Sequence, residues 1–495
     1  MEQSAPGNES RCAGRAHLVG IAGSGMKGLA ELLVSRGWRV SGSDGALDPA
    51  ATGLEQLRRA GVTLVGHHAA ENVPVDTEVL VHSAAVPSEN VERARGRELG
   101  IPELTYSRML GRLMRESRGV CVSGTHGKST TTALAGWMLE QLGERPDVVV
   151  GAEFRHTGRN GWAGGGDWLV AESCEFQKSF LDHAPRAAAI LSIEPDHFDC
   201  YGSLGEIEAA FEEFAALVPA DGTLVIPAGD AVVARVSRRA RGRIVTFGLS
   251  GPFNTSPVAD WWGRILPYET ERPHQGERFE WGRGDQRLGV IESPLSGEHN
   301  VRNVLAAIAL VASAWEDAGR GVIDGAVAAR LGEAVQTFPG LRRRFEVLCE
   351  SPRAVLIDDY AHHPTEIRAV LEGGRRAYPG RPVVVAFQGH QVSRTRMLLE
   401  EFAAALASAD RVLVTPIFAA REAGGDACRE WGEALANRTR ELGTNARFVP
   451  SLDHVPSTMD DPGSVPELWM TLGAGDIHRT HHALARRIQR HHDGR

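Results

Sequence analysis

Short apolar runs alternate with amphipathic stretches along most of the chain. His17 to Ile21, Trp38 to Ser41 and Val79 to His82 read as strands, and Leu29, Leu32 and Leu33 mark a helix between the first two. Glu89 to Leu99 reads as a further helix. The run Val120 to Val122 leads through a glycine loop into a helix with Ala133, Leu134, Trp137, Met138 and Leu142 on one face, ended by Gly143. Trp168 to Ala171 and Ala187 to Ile193 are the next strands. Residues 251–293 hold Trp261, Trp262 and Trp281 in short alternating segments, which predicts a β-rich excursion without chemistry. Val301, Val304, Leu305, Ile308 and Val311 form one face of a helix over Val301 to Ala314. Strands then follow at Ala354 to Ile357, Val383 to Phe387, Val412 to Val414 and Leu468 to Leu472, with a helix from Thr365 after Pro364. Strand and helix in alternation predict an α/β protein with parallel sheets.

Two polar breaks divide this series. Arg115 to Arg118 places one boundary near 115, and Phe338-Pro-Gly340 reads as a linker. The expected domains are 15–115, 116–337 and 338–495, after a small polar tail, 1–14, expected to be disordered. A chain of 495 residues is long enough for about three domains.

The glycine loops carry the first chemistry. Gly124-Thr-His-Gly127 is followed by Lys128, Ser129 and Thr130, between a strand and a helix. Backbone N–H groups and the helix N-terminus there suit a polyphosphate, Lys128 suits its β/γ-phosphates, and the Ser129 or Thr130 hydroxyl suits Mg²⁺. The strict pattern would need glycine at 122, so with Val122 the loop is a shortened variant. Gly20-Ile-Ala-Gly23-Ser24-Gly25-Met26-Lys-Gly28 lies between the first strand and helix, with Asp44 after the second strand. That turn suits a diphosphate, of NAD or of a UDP-sugar. Glu172 and Glu194-Pro-Asp196-His197-Phe-Asp199 end two strands near the phosphate loop, where carboxylate and imidazole suit Mg²⁺ or Mn²⁺. His299 and Asn300 suit adenine or ribose, although capping explains Asn300 equally well. Arg342-Arg343-Arg344 reads as a solvated face or a phosphate clamp. His362, His363, His390, Arg394 and Arg396 sit in strand-end loops and suit a carboxylate.

Composition narrows the class. Hydrophobic residues make up 42% and charged residues 24%, as in soluble globular proteins. A net charge of −9 gives no reason to expect a nucleic-acid partner. The six cysteines, at 12, 121, 174, 200, 349 and 428, show no C-x-x-C spacing, which predicts reduced thiols in a cytoplasmic protein. No apolar run reaches transmembrane length and no signal-peptide core precedes Arg15, so no membrane insertion is expected.

Taken together, Gly20–Gly28, Ser41–Asp44, Ser83–Pro87, Gly124–Thr132, Glu172 with Glu175, Ile193–Asp199, Gly297–Asn303, Arg343–Phe345, Asp358–Glu366, Phe387–Arg396 and Gly473–Ile477 resemble the Mur ligase family, from His17 to about Ala485. The resemblance implies three domains: a Rossmann-like N-terminal UDP-binding domain, a P-loop ATPase-like central domain and a Rossmann-like C-terminal domain. It implies the branch that joins L-alanine to the lactyl carboxylate of UDP-N-acetylmuramate with ATP and Mg²⁺ or Mn²⁺, through an acyl phosphate, in peptidoglycan precursor synthesis. Gly23, Ser24, Gly25, Met26, Asp44, Ser83 and Ala85 would then hold the sugar nucleotide. Gly124, Thr125, His126, Gly127, Lys128, Ser129, Thr130, Asn300, Arg344 and Asp359 would hold ATP, with Ser129, Glu172 and His197 on the metal. Tyr360, His362, His390 and Arg394 would lie near the amino acid and acyl group, with His362 as a candidate base. A monomer or weak homodimer is expected. The alternatives are a ligase of the same family that attaches a recycled peptide and, in another class, an NAD-dependent dehydrogenase using the Gly20–Gly28 turn. Three departures stand out: Ser173-Cys174 between the two glutamates, Ser192-Ile-Glu-Pro-Asp-His197, and Gln391 where an arginine is expected to grip the amino-acid carboxylate.

Overall fold

The structure is a computed structural model that describes residues 14–45, 52–198, 200–250, 259–267, 276–422, 424–459 and 465–490. The tail 1–13, Asp199 and the terminal 491–495 lie outside the described residues. Three sheets are present, distributed over two compact units. One unit is built from Met1–Ile193, Glu208–Phe247 and Ala306–Ala334; the other from Glu194–Ile207, Gly248–Leu305 and Val335–Arg495.

The first unit opens with strands β1 (Arg15–Val19), β2 (Arg39–Ser43), β3 (Thr63–Val65), β4 (Val79–His82) and β5 (Glu103–Thr105). They form a sheet in the order β3-β2-β1-β4-β5, parallel throughout. Helices α1 (Ser24–Ser35), α2 (Thr52–Arg59), α3 (Val91–Glu98) and α4 (Tyr106–Arg115) connect and follow these strands. Ala16, Leu18, Val19, Leu80 and Val81 are fully buried, as expected of parallel strands covered on both faces. The pattern predicted no helix over 106–115; there α4 fills the stretch before the expected boundary.

The part of the second, ten-stranded sheet that this unit holds runs β12-β11-β10-β6-β9-β7-β8. Its strands are β6 (Arg118–Ser123), β7 (Asp147–Val149), β8 (Gly161–Ala163), β9 (Trp168–Glu172), β10 (Ala187–Ile190), β11 (Thr223–Pro227) and β12 (Arg243–Leu249). All pair in parallel except β8, which runs antiparallel to β7. Helix α5 (Lys128–Gln141) follows the phosphate loop, and α6 (Leu204–Leu217) and α7 (Ala231–Val236) come later. The expected strand 187–193 ends at Ile190, because the chain turns over the phosphate loop: Leu191 N–H donates to Ser123 O at 3.0 Å, and Ser192 O accepts from Thr125 N–H at 2.9 Å. Glu172 is the last residue of its strand, as expected.

In the second unit β13 (Trp261–Ile265), β14 (Glu277–Arg283) and β15 (Gln286–Ser293) form an antiparallel meander, the expected β-rich excursion. Residues 251–258 and 268–275 of that stretch lie outside the described residues. Helix α8 (Glu298–Asp317) begins three residues before the expected Val301, so His299 and Asn300 belong to its first turn; from Ala306 it is part of the first unit, as is α9 (Gly325–Gln336) up to Ala334. The third sheet has the order β16-β17-β21-β18-β19-β20. Its strands are β16 (Glu346–Glu350), β17 (Ala354–Asp359), β18 (Val383–Phe387), β19 (Arg411–Val414), β20 (Asn445–Phe448) and β21 (Glu467–Leu472). Only β16 is antiparallel. Strand β17 runs two residues past the expected Ile357, which places Asp358 and Asp359 inside the sheet. Around it pack α10 (Pro364–Ala377), α11 (Val392–Met397), α12 (Leu399–Leu406), α13 (Asp426–Glu441), α14 (Val455–Thr458) and α15 (His481–Arg490).

Candidate active site

The phosphate loop of the first unit is set by two glycines. Gly127 precedes α5 at φ 79°, a left-handed conformation that costs glycine nothing. Gly124 sits at φ 129°, and a Cβ there would lie 2.9 Å from the backbone nitrogens of Leu191 and Ser192. Lys128 Nζ donates to Gly124 O at 2.5 Å and Thr125 O at 3.0 Å, and pairs with Glu175 at 3.0 Å. Burial alone would lower this ammonium's pKa; the charges of Glu175, Cys174 and Glu172 overcome it and hold the pKa well above the usual lysine range. Ser129 Oγ donates to Glu172 Oε2 at 2.9 Å, and the same oxygen accepts Gly151 N–H at 2.8 Å. His126 N–H donates to Ser192 Oγ at 3.1 Å. Thr130 is buried in the first turn of α5. A hydroxyl and a carboxylate side by side are hard oxygen donors, a set that fits Mg²⁺ or Mn²⁺. His197, the third expected ligand, belongs to the second unit.

The glycine turn of the same unit is closed by its own acid. Gly20 (φ 84°) and Ile21 donate to Ser43 O, and Ala22 N–H donates to Asp44 Oδ2 at 3.0 Å. Gly23 caps α1, whose first turn holds Ser24, Gly25 and Met26; Gly23 and Ser24 are exposed. Ser83 N–H donates to Val19 O, and a Cβ on Gly20 would meet Ser83 Cβ at 3.0 Å, so the Ser83–Ala85 loop abuts the turn. Beneath it lies a buried network that sequence reasoning missed. Glu92 accepts from Ser43 Oγ, from Asn72 Nδ2 at 2.7 Å and from Ala69 N–H at 3.1 Å, and His17 Nε2 lies 3.4 Å away. Burial would raise this carboxyl's pKa, but those donors bring it down to about 2. Only a charged residue in a long polar helix face marks Glu92 in the sequence, which is why it escaped notice.

The expected residues of the third domain gather at the ends of β17 and β18 in the second unit. Asp359 accepts Ala361 N–H and Phe345 N–H, each at 2.7 Å, and burial raises its pKa to about 6 despite Arg344. Arg343 and Arg344 both lie over the Tyr360 ring, at 5.1 and 5.2 Å. The Tyr360, His362, His390 and Phe418 rings follow one another at 5.4, 5.8 and 5.8 Å. Burial lowers the pKa of His362 to about 4 and of His390 to about 3, so both are neutral at pH 7. Arg394 is buried and pairs with Asp196 at 2.6 Å; burial works against the Asp196 carboxylate, yet Arg394 keeps its pKa far below the usual range. His197 follows Asp196 at φ 53°. Asn300 Nδ2 donates to Ser296 O at 2.8 Å and Asn300 Oδ1 accepts from Asn303 at 3.1 Å. Asn300 is therefore engaged within the helix start and is not the helix cap.

Gln391, the expected arginine position, is buried at φ 70° and precedes α11; its N–H donates to Phe418 O at 2.9 Å. Glu422 accepts from Val392 N–H, Ser393 N–H and Ser393 Oγ. Arg394 and Arg421 both lie within electrostatic range of His390, so this corner keeps two guanidinium groups without an arginine at 391.

A parallel α/β sheet with a phosphate loop, a glycine turn on a neighbouring parallel sheet and a third parallel sheet with acids at its strand ends define a nucleotide-dependent enzyme of modular α/β build. Three family models match: the Mur ligase family catalytic domain over 15–118, the Mur ligase middle domain over 122–311, and the Mur ligase glutamate ligase domain over 343–461. The chain belongs to the Mur ligase family. It is 37% identical to the UDP-N-acetylmuramate–L-alanine ligase of Salinibacter ruber, over 96% of this chain and 94% of that protein. To the enzyme of the same name from Desulfitobacterium hafniense it is 36% identical, over 94% of this chain and 98% of that one. The crystal structure of UDP-N-acetylmuramate-alanine ligase from Thermotoga maritima matches with a TM-score of 0.74 at 27% identity, covering 97% of this chain and 100% of that one. A murein peptide ligase from Psychrobacter arcticus shares the fold, with a TM-score of 0.66 at 20% identity over 96% of this chain and 99% of that one. Membership of this family replaces the dehydrogenase reading of the glycine turn. Among the described residues no helix is long and apolar enough to cross a membrane.

Proposed function

We propose that this chain is an ATP-dependent ligase that joins L-alanine to the lactyl carboxylate of UDP-N-acetylmuramate, giving ADP and phosphate, in the synthesis of peptidoglycan precursors. The observation that carries the reading is the near-full-length identity to ligases of that name, together with a phosphate loop whose Lys128 and Ser129 each meet a glutamate. Residues 15–115 are assigned to the sugar nucleotide, 116–337 to ATP, and 338–495 to the amino acid and to closing the ATP site.

The chemistry follows from charge. The lactyl carboxylate attacks the γ-phosphate of ATP, ADP leaves, and an acyl phosphate forms. The amine of L-alanine then attacks the acyl carbon, and phosphate leaves. Both steps gather negative charge, which Lys128 is placed to stabilise. Ser129, Glu172 and His197 would hold Mg²⁺ or Mn²⁺, which when bound offsets phosphate charge. Gly124 to Thr130 would line the polyphosphate, and Asn300, Arg344 and Asp359 the nucleoside end. Gly23 to Met26, Asp44, Ser83 and Ala85 would take the sugar nucleotide. The attacking amine must lose a proton, and a neutral His362 has a lone pair to accept it. Tyr360, His390 and Arg394 would orient the amino acid, Arg394 being held by Asp196. The assignment suits a cytoplasmic monomer or weak homodimer.

The test is phosphate release from ATP with UDP-N-acetylmuramate and, in turn, L-alanine, L-serine, glycine and a cell-wall tripeptide. Turnover fastest with L-alanine is expected. Turnover with the tripeptide alone would assign the chain to peptide recycling.

A further inference from the structure

Helix α4 was not expected from the sequence, and its first residue, Tyr106, occupies an unusual place. The helix start is pinned on two sides. Thr105 Oγ accepts Arg108 N–H at 3.2 Å, and Ser107 Oγ donates to Asp182 Oδ2 at 2.5 Å. Gly111, one turn on, packs so closely that a Cβ would lie 1.9 Å from Asp182 O. The Tyr106 ring therefore has little freedom to swing away.

One edge of that ring lies against the glycine turn. A Cβ built on Gly25 would be 2.9 Å from Tyr106 Cζ and 3.2 Å from its hydroxyl oxygen. Glycine at 25 thus has a second purpose besides freeing backbone N–H groups: it makes room for the phenol. Tyr106 is also in electrostatic range of Cys174 and of Glu172, the carboxylate that Ser129 meets. A phenol keeps its proton at neutral pH, so the O–H is a hydrogen-bond donor. Tyr106 is only partly buried, and among the described residues its hydroxyl makes no hydrogen bond. A partly exposed phenol donor thus lies against the diphosphate turn and within electrostatic range of the phosphate-loop carboxylate.

We propose that Tyr106 is a substrate-contacting residue that meets the sugar ring of the sugar nucleotide, its face against sugar C–H groups and its hydroxyl donating to a sugar oxygen. This rests on the ligase reading above. In that substrate one covalent chain links the diphosphate, the sugar ring and the carboxylate that must reach the γ-phosphate. With the diphosphate on the Gly23–Met26 turn and the carboxylate near Lys128, the ring spans the gap that Tyr106 lines. A phenol offers such a ring both an apolar face and a polar tip.

Calorimetric titration of Tyr106→Phe and Tyr106→Ala with UDP-N-acetylmuramate and with UDP tests this, beside steady-state phosphate release. Tyr106→Phe is expected to weaken UDP-N-acetylmuramate about five- to tenfold, the size of one lost hydrogen bond, and Tyr106→Ala more. UDP affinity and the KM values for ATP and L-alanine are expected to stay within about twofold. Unchanged UDP-N-acetylmuramate affinity in both variants, or an equal loss for UDP, would overturn the assignment. A wild-type protein that binds UDP-N-acetylmuramate but does not turn over with L-alanine would sink the ligase reading alone, since the binding comparison still decides the role of Tyr106.

Discussion

At the scale of single residues, charge and burial decide the outcomes. Lys128 is the one lysine of the phosphate loop, and its ammonium faces Glu175 and two loop carbonyls. Lys128→Ala is expected to lower phosphate release by at least about 10³-fold while leaving the affinity for UDP-N-acetylmuramate intact, which calorimetry checks. His390 gives a pH prediction. Its folded pKa is about 3, against an ordinary value near 6.5. Between those values the unfolded chain binds the proton and the folded chain does not, so stability falls as pH drops below about 6.5. Allowing for partial exposure, this one histidine is expected to cost about 1–2 kcal/mol between pH 7 and pH 5. His390→Gln should flatten the dependence of the urea midpoint on pH by that amount. These residues differed in how readily they could be found. Lys128, Ser129 and Glu172 stand at the ends of strand–turn–helix units, where a pattern announces them. Glu92 and Tyr106 matter through what the fold brings to them, and nothing within a few residues of either says so.

At the scale of elements, apolar runs located ten strands and the β-rich excursion, gave nothing for β3, β5, β7, β8, β11, β12, β16 and β20, and misjudged several ends. The sheet continues while backbone pairing continues, and pairing tolerates acids that a hydrophobicity pattern excludes. Asp358 and Asp359 extend β17 because Thr471 and Leu472 lie opposite them in register. Ala187 to Ile193 ends early for the reverse reason: after Leu191 N–H bonds the last residue of β6, Ser123, the carbonyl of Ser192 turns to Thr125 of the phosphate loop. Helix α4 was legible but not read: Met109, Leu110, Leu113 and Met114 recur at helical spacing and form its buried face, with Gly111 against the Asp182 carbonyl as the tightest point. Gly111→Ala is expected to force the helix off that carbonyl and to cost about 3 kcal/mol or more, read from the thermal midpoint. Gly100→Ala is the control. It lies at φ 69° with no atom within 4 Å of an added Cβ, and is expected to cost only about 1 kcal/mol.

At the scale of the molecule, the first unit joins two sheets through buried charge. Arg36 at the end of α1 bonds Asp147 on β7 at 2.6 and 2.8 Å, and both are buried. Asp147→Ala would leave Arg36 uncompensated, at a cost of about 3–5 kcal/mol. The two sheets of this unit are expected to melt together in the wild type, and scanning calorimetry of the variant should show that transition moved down or split. The same unit is assembled from three separated stretches of chain, the last being Ala306–Ala334. That arrangement has a consequence during synthesis. A ribosome adds about 5–20 residues per second, so the first strand waits some tens of seconds for the segment that completes its unit. During that wait Thr223 on β11 lacks Asp317, to which its hydroxyl donates in the folded unit, and a chaperone has its longest opportunity to bind. A nascent chain released anywhere before Ala334 should be recovered as aggregate or holdase complex, whereas one released just after it should already protect β6 and β10 from hydrogen exchange.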